Sequence, residues 1–294
     1  MSAPGHVLIV GCGYVGTRLA RRLRPTHDVS AIVRSPQKAA ALQAEGIDAM
    51  ALDLDRVRLG AHIPERLDHR AVFYLAPPSP QGESDFRVDR FLQLATVPPA
   101  AFIYMSTTGV YGDTKGELVD ESSPVAPLTE RARRRVSAEE MTRVWCTERH
   151  VRRVVLRVPG IYGPGRLPLE RLRAREPAVH PEEAGISNRI HVDDLVEACL
   201  AAALNPEARG VYNVTDGTSI SSTEFLDRVA KLAGLPPPPR VSMDEAQLTF
   251  SPERLSFINE SRRVSNERML KHLGVKLRYA DVEAGIRQSL ATLN

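Results

Sequence analysis

His6-Val-Leu-Ile-Val-Gly-Cys-Gly-Tyr-Val-Gly16 is the stretch that decides how this chain folds. Val7 to Val10 is an unbroken aliphatic run, the pattern of a strand buried on both faces, and it ends on glycines at 11, 13 and 16. Past the glycines, Val15, Leu19, Ala20 and Leu23 recur at helical spacing, while Arg18, Arg21, Arg22 and Arg24 take the opposite face. A strand, a G-x-G-x-x-G turn and a helix follow one another. In that context Gly11 serves the tight turn, Gly13 lets the backbone approach a pyrophosphate, and Gly16 brings helix and strand close. The helix N-terminus then faces the phosphates.

Working outward, Asp28 to Val33 reads as a second strand and Ile47 to Leu52 as a third, with a helix through Ala39, Leu42 and Ala44 between them. Ala71 to Leu75 and Ala101 to Ser106 are the fourth and fifth strands, Arg153 to Val158 the sixth, and Gly210 to Val214 the seventh. Alternating strands and helices give right-handed crossovers and a parallel sheet. The expected class is therefore α/β: a Rossmann doubly wound parallel sheet with a smaller C-terminal subdomain on the substrate side. Its expected division is 1–164 for the dinucleotide-binding domain and 165–294 for the subdomain, with 190–215 returning to the sheet.

The second strand ends in Arg34-Ser35, where such folds place an acid for the adenosine ribose. A guanidinium suits a 2′-phosphate and an acid repels one, so NADP is the expected cofactor, with NAD the less favoured choice. The competing reading makes Arg34 a solvated loop residue. Thr129 to Arg149 reads as a long helix with Thr129 as its N-cap and Val136, Val144 and Trp145 on its apolar side. Prolines and glycines at 76–80 and 159–165 mark rigid loops at the strand ends where ligands bind in open sheets.

The charge balance, 39 basic against 36 acidic residues, is too even to argue for nucleic acid. No apolar run reaches the length of a membrane span, and the first residues lack a signal-peptide pattern, so the expected compartment is the cytoplasm. Cys12, Cys146 and Cys199 are too few and too scattered for a disulfide framework or a zinc site, so no metal is expected.

Four separated motifs then agree in order and spacing: Gly11-Cys-Gly-Tyr-Val-Gly16, Ser106-Thr-Thr-Gly-Val-Tyr-Gly112, Arg157-Val-Pro-Gly-Ile-Tyr-Gly-Pro-Gly165 and Arg189-Ile-His-Val-Asp-Asp194. Over nearly its whole length the chain resembles the extended short-chain dehydrogenase/reductases, the NAD(P)-dependent epimerase/dehydratase family. The resemblance implies a substrate that is a polar small molecule, commonly a nucleotide sugar, and a homodimer formed through long helices that include the one from Thr129. It places the substrate-binding hydroxyl on Thr107, the adenine contact on Asp53 with Leu54, and the loop along the cofactor on Ala76 and Pro77. Cys12, Tyr14 and Val15 in the glycine turn, Ser35 beside Arg34, and Pro159 complete the cofactor candidates.

One departure bears on the chemistry. Aligned on Glu139, the family's Tyr-x-x-x-Lys pair falls on Arg131 and Arg135. A phenol with a pKa near ~10 can exchange a proton when a cation lowers it, whereas a guanidinium above ~12 stays charged. Arg131 is therefore a candidate for holding a carboxylate, a phosphate or a developing oxyanion. The plainer reading leaves the arginines at 131, 133, 134 and 135 as a solvated face. Tyr111 and Tyr162 are the candidate replacement phenols, with packing roles as the alternative. The expected activity is an NADP(H)-dependent oxidoreductase or epimerase-like enzyme, reduction favoured because it extracts no proton from an alcohol. The alternative is an NADP(H)-binding redox sensor without turnover.

Overall fold

In the computed structural model residues 5–57, 63, 67 and 70–292 are described; the outermost expected bounds, 1 and 294, lie outside them. The aliphatic run forms β1 (His6–Val10), with every residue after His6 buried. It pairs in parallel with β2 (Asp28–Val33) on one side and β4 (Arg70–Tyr74) on the other. β3 (Asp48–Ala51) closes that edge beyond β2. β5 (Ala101–Thr107), β6 (Arg152–Val158) and β7 (Gly210–Asn213) extend the other edge, giving one seven-stranded sheet in the order β7-β6-β5-β4-β1-β2-β3. All of its pairings are parallel.

That order reverses direction between β1 and β4, and an open sheet leaves a crevice there at the carboxyl ends of its strands. Val10 is level with Ile32 and with Tyr74, so β1, β2 and β4 end within one residue of the same height. Thr107 likewise stands beside Val158, which brings the exits of β5 and β6 together.

Both faces of the sheet are covered. α1 (Tyr14–Leu23), α2 (Pro36–Ala44) and the apolar helix from Val192 to Leu204 bury Leu19, Leu42, Leu195 and Cys199 against one face. α3 (Phe86–Leu94) and α4 (Glu130–Glu148) bury Phe91, Leu92, Ala138 and Trp145 against the other, beside Tyr74 and Phe102. The 269–275 segment also packs on the first of these cores through Met269, Leu273 and Val275. α4 starts at the expected cap, Thr129 Oγ1 accepting from the Ala132 amide at 3.2 Å. Val144, expected on its apolar side, is instead 39% exposed. It lines a surface groove between α3 and α4 with Leu92, Met141 and Trp145.

A second apolar cluster lies beyond the sheet. Tyr162, Leu169, Leu172, Ala178, Phe225, Leu226, Val229 and Ile286 pack together there. They are drawn from the segment after β6, from the helix Ser222–Leu232 and from the helix Val282–Ala291. The sharp start of the Ser222–Leu232 helix is set by a reciprocal capping box between Ser221 and Glu224. A two-stranded pairing of Arg189–His191 with Gly160–Tyr162 ties this cluster to the sheet. Among the described residues no helix is long and apolar enough to cross a membrane, and no cluster of three metal-ligating side chains occurs.

Candidate functional site

The crevice between β1 and β4 is built by backbone. Gly11 has φ +87°, and a Cβ there would lie 2.4 Å from the Ala76 nitrogen, so only glycine lets the exit of β4 pass this close. Gly16 is pressed against Ile9, where a Cβ would meet Cγ2 at 3.1 Å. Gly13 differs from both: a Cβ would meet nothing nearer than 3.9 Å. It stands at the start of α1, whose first turn carries no acid and whose N-terminus has no side-chain cap. The free amides of that turn form an anion cradle open to a ligand. The side chains of Cys12 and Val15 are buried in the core, which leaves their main chain to face the cradle. Tyr14 donates to the Pro164 carbonyl at 2.9 Å and lies between the guanidinium groups of Arg18 and Arg166, 3.9 and 4.2 Å from its ring centroid.

Beside the cradle a cleft of about 280 Å³ is lined by Val33, Arg34, Asp53, Leu54, Ala76 and Pro77. Arg34 is exposed at its rim and makes no hydrogen bond among the described residues. Ser35 caps α2 by accepting from the Lys38 amide at 3.3 Å. Asp53 accepts from the Asp55 amide at 3.0 Å. Arg87, which the sequence did not single out, completes the cleft: it grips Asp55 through Nε at 2.8 Å and Nη2 at 2.6 Å, and donates to the carbonyls of Pro77 and Pro78. That grip holds the Asp55 carboxyl below the usual carboxylate range. Only its place on α3, opposite the proline loop, reveals Arg87.

At the exits of β5 and β6 a second chamber of about 250 Å³ contains Thr107, Arg131, Pro159, Arg189, Phe257 and Glu260 in its wall. Thr107 Oγ1 accepts from the Gly109 amide at 3.2 Å, which leaves its hydroxyl proton to donate. Arg131 stacks on Phe257, with 4.2 Å from its guanidinium carbon to the ring centroid, and makes no hydrogen bond or ion pair among the described residues. Burial pulls its pKa below the ordinary guanidinium value, against the opposing pull of Glu260 and Glu253. Arg135, one helical turn further on, points away into the sheet and donates to Tyr104 Oη at 3.1 Å and the Met105 carbonyl at 2.9 Å.

The arginines of α4 are therefore not one solvated face. Arg134 is buried and donates to the Gly82 carbonyl at 2.5 Å. Arg133 pairs with Glu83 at 2.8 Å. Four neighbours on one turn go to four different partners.

The two phenols proposed as stand-ins are corrected by their surroundings. Tyr111 is 1% exposed and donates to Asn213 Oδ1 at 2.8 Å beneath the Arg157 guanidinium. The Tyr162 hydroxyl is sealed against Gly285, where a Cβ would come within 2.4 Å of it, and has no hydrogen-bond partner among the described residues. Burial drives its pKa far above the ordinary phenol value, and Asp216 and Asp194 push the same way. Neither hydroxyl can reach a substrate beside Thr107.

The His-Val-Asp-Asp motif is framework. His191 is wholly buried, accepts from the Asp193 amide at Nδ1 and pairs through Nε2 with Gln288 Oε1 at 3.0 Å. Asp194 accepts from the amides of Arg278 and Tyr279. Arg189, in the same motif, is 8% exposed, stacks on Phe225 and leaves Nη1 buried with no hydrogen-bond partner among the described residues. Burial lowers its pKa to about 10, and burial pushes the Asp216 carboxyl up to about 7.

A stability consequence follows from Asp216. Its unfolded pKa is near ~3.9, so the native chain holds this proton more tightly. Stability from this group is present at low pH and is lost as pH rises from about 4 through the folded value of about 7. Urea midpoints should fall between pH 5 and pH 8, and Asp216→Asn should flatten that fall; an unchanged slope in the variant would refute the assignment.

Comparison with known proteins agrees with this geometry. Protein YeeZ of Escherichia coli K12 is 27% identical, covering 94% of this chain and 96% of its own. The 3-diazoavenalumate denitrifying reductase of a Streptomyces species is 28% identical, covering 92% and 95%. A solved structure of a functionally unknown conserved protein from Silicibacter pomeroyi is 30% identical and superposes with a TM-score of 0.79, covering 99% of each chain. The sequence model of the NAD dependent epimerase/dehydratase family matches residues 7–215, from β1 through β7, and the chain belongs to that family.

Proposed function

We propose that this chain is an NADP(H)-dependent oxidoreductase that reduces a small molecule held in the chamber beside Thr107. The observation that carries the reading is the lining of the chamber: Arg131 enters it and no phenol among the described residues does. A guanidinium cannot take a proton from an alcohol, so oxidation and the oxidative half of an epimerisation lack their base. Reduction needs only a hydride and a proton that water can supply. The reduced nicotinamide, when bound, supplies the hydride.

Among this chain's residues, the amides at the start of α1 would take the pyrophosphate, and the cleft lined by Asp53, Leu54, Ala76 and Pro77 the adenine. Arg34, with Ser35 and Lys38 at the start of α2, would hold the 2′-phosphate. Thr107 would donate to the substrate atom on which negative charge develops. A reductase among the full-length relatives supports the direction of reaction.

Arg34→Asp should weaken NADPH binding on the order of 100-fold and NADH only slightly, because it trades an attraction for a repulsion at one phosphate. Equal loss of both cofactors would refute the NADP reading. Thr107→Ala should lower turnover ~10-fold or more with NADPH affinity unchanged; unaltered kinetics would remove Thr107 from the reaction. The direct test supplies NADPH deuterated at C4, in each stereochemistry, with a small-molecule cell extract and seeks a deuterated product by mass spectrometry. Tight NADPH binding with no label transferred would favour the sensor alternative.

A further inference from the structure

The chamber beside Thr107 has a second cavity next to it. Gly160, Arg189, Ser222 and Phe257 line both it and this neighbouring cavity of about 300 Å³, so the two share a wall whose outermost side chain, Phe257, is 55% exposed. The outer cavity is mainly apolar, with Val179, Phe225, Leu226, Phe250 and Ile258 around it.

The charges around the two cavities do not cancel. In the inner chamber Glu260 is taken by Arg262, whose Nη2 lies 2.5 Å from its carboxylate. In the outer cavity Arg171 and Arg254 share Glu176, at 3.1 and 3.8 Å. Three guanidinium groups have no ion-pair partner among the described residues: Arg166, stacked on Tyr14 in the outer cavity, Arg131, stacked on Phe257, and Arg189, with Nη1 buried and unsatisfied. The last two line the inner chamber, where Glu260 and Glu253 face Arg131, and Asp216 and Glu224 face Arg189, without closing an ion pair. A buried donor without a partner is costly, and an uncompensated buried charge more so. Both costs are removed by an anionic ligand, and a guanidinium binds a carboxylate or phosphate through paired hydrogen bonds.

We infer that the substrate is an organic acid with an apolar body: its carboxylate or phosphate is held by Arg131 in the inner chamber, and its body runs past Phe257 into the outer cavity. Arg131 thereby does for binding what it cannot do for proton transfer. It fixes the acid group where the family's tyrosine would stand and presents the adjoining carbon to Thr107. This inference rests on the reductase reading for its chemistry but not for its binding, which is measurable without cofactor.

The test uses the full chain, with and without saturating NADPH, and three probes: 4-phenylbutyrate, phenyl phosphate and the neutral 4-phenylbutanamide. Calorimetry should show at least one of the two anions binding tenfold or more tighter than the amide. That preference should shrink to within threefold in Arg131→Gln and survive in part in Arg131→Lys. Whichever anion is preferred distinguishes carboxylate from phosphate. Melting temperature and NADPH affinity report whether each variant is folded, and the lysine variant keeps the cation should the glutamine variant be unstable. An amide bound as tightly as both anions, or a preference undiminished in Arg131→Gln, would overturn the inference. Failure of NADPH to bind while the anion preference persists would instead remove the reductase reading and leave the acid site standing.

Discussion

Gly13→Ala is expected to abolish NADPH binding while leaving the melting temperature close to that of the native chain, whereas Gly11→Ala is expected to lose both. The two residues lie in one turn and differ in what stands around them. At Gly13 a new Cβ has no neighbour closer than 3.9 Å, so the fold accepts it. The methyl group projects where the pyrophosphate must approach the backbone, and the approach is lost. At Gly11 the Cβ would sit 2.4 Å from Ala76 N and 2.6 Å from Ala76 Cα, and neither atom belongs to a flexible side chain that can swing aside. The φ of +87° adds a backbone penalty of ~1 kcal/mol or more. β1 and β4 must separate, and the melting temperature should drop by roughly 5–10 °C. NADPH titration with thermal melts separates the outcomes. A Gly13→Ala variant that binds NADPH as the native chain does would remove the cradle from the cofactor site.

The glycine turn was readable from sequence because all its determinants are local: an aliphatic run, three glycines and an amphipathic helix within 23 residues. The seven strands were readable for the same reason, each being a short apolar run between breakers. What sequence could not supply was the direction of side chains whose partners are far along the chain. Tyr111 follows a strand at the ligand edge, a place suited to a catalytic phenol, yet its hydroxyl is claimed by Asn213, 102 residues later. Tyr162 is sealed by Gly285, a residue on the helix Val282–Ala291 with no signature of its own. Arg131 and Arg135 are one helical turn apart, and one enters the chamber while the other is drawn into the sheet by Tyr104. The helical period explains why they diverge little in angle; the divergence comes from what each meets. Val144 shows the converse: a helical pattern assigns it to the apolar side, but it faces the surface groove between α3 and α4 while its neighbours Trp145 and Cys146 reach the core.

Glu139→Ala is expected to be the most destabilising single substitution near the chamber, lowering unfolding free energy by ~3–5 kcal/mol. Glu139 Oε1 accepts from Ser106 Oγ at 2.5 Å and from Arg157 Nε at 3.1 Å, and Oε2 accepts from Arg157 Nη2 at 2.7 Å. Both side chains are nearly enclosed, 12% and 7% exposed. The pair therefore joins α4 to β5 and β6 just below Thr107. Its reach continues: Arg157 lies over the Tyr111 ring, Tyr111 donates to Asn213, and the Asn213 amide donates to Glu121 at 2.7 Å. Removing the carboxylate strands a guanidinium whose Nη1 already lacks a partner, and water cannot reach it. The size of the loss thus measures the stranded charge more than the worth of the pair. A double-mutant cycle separates the two, because Arg157→Leu removes the charge as well. The double variant should regain a large part of what Glu139→Ala loses, while Glu140→Ala, which removes a wholly exposed partner of Arg143, should change nothing measurable. Urea denaturation of the four proteins decides it: a double variant no more stable than Glu139→Ala would mean that the packing of α4, and not the buried charge, sets the cost.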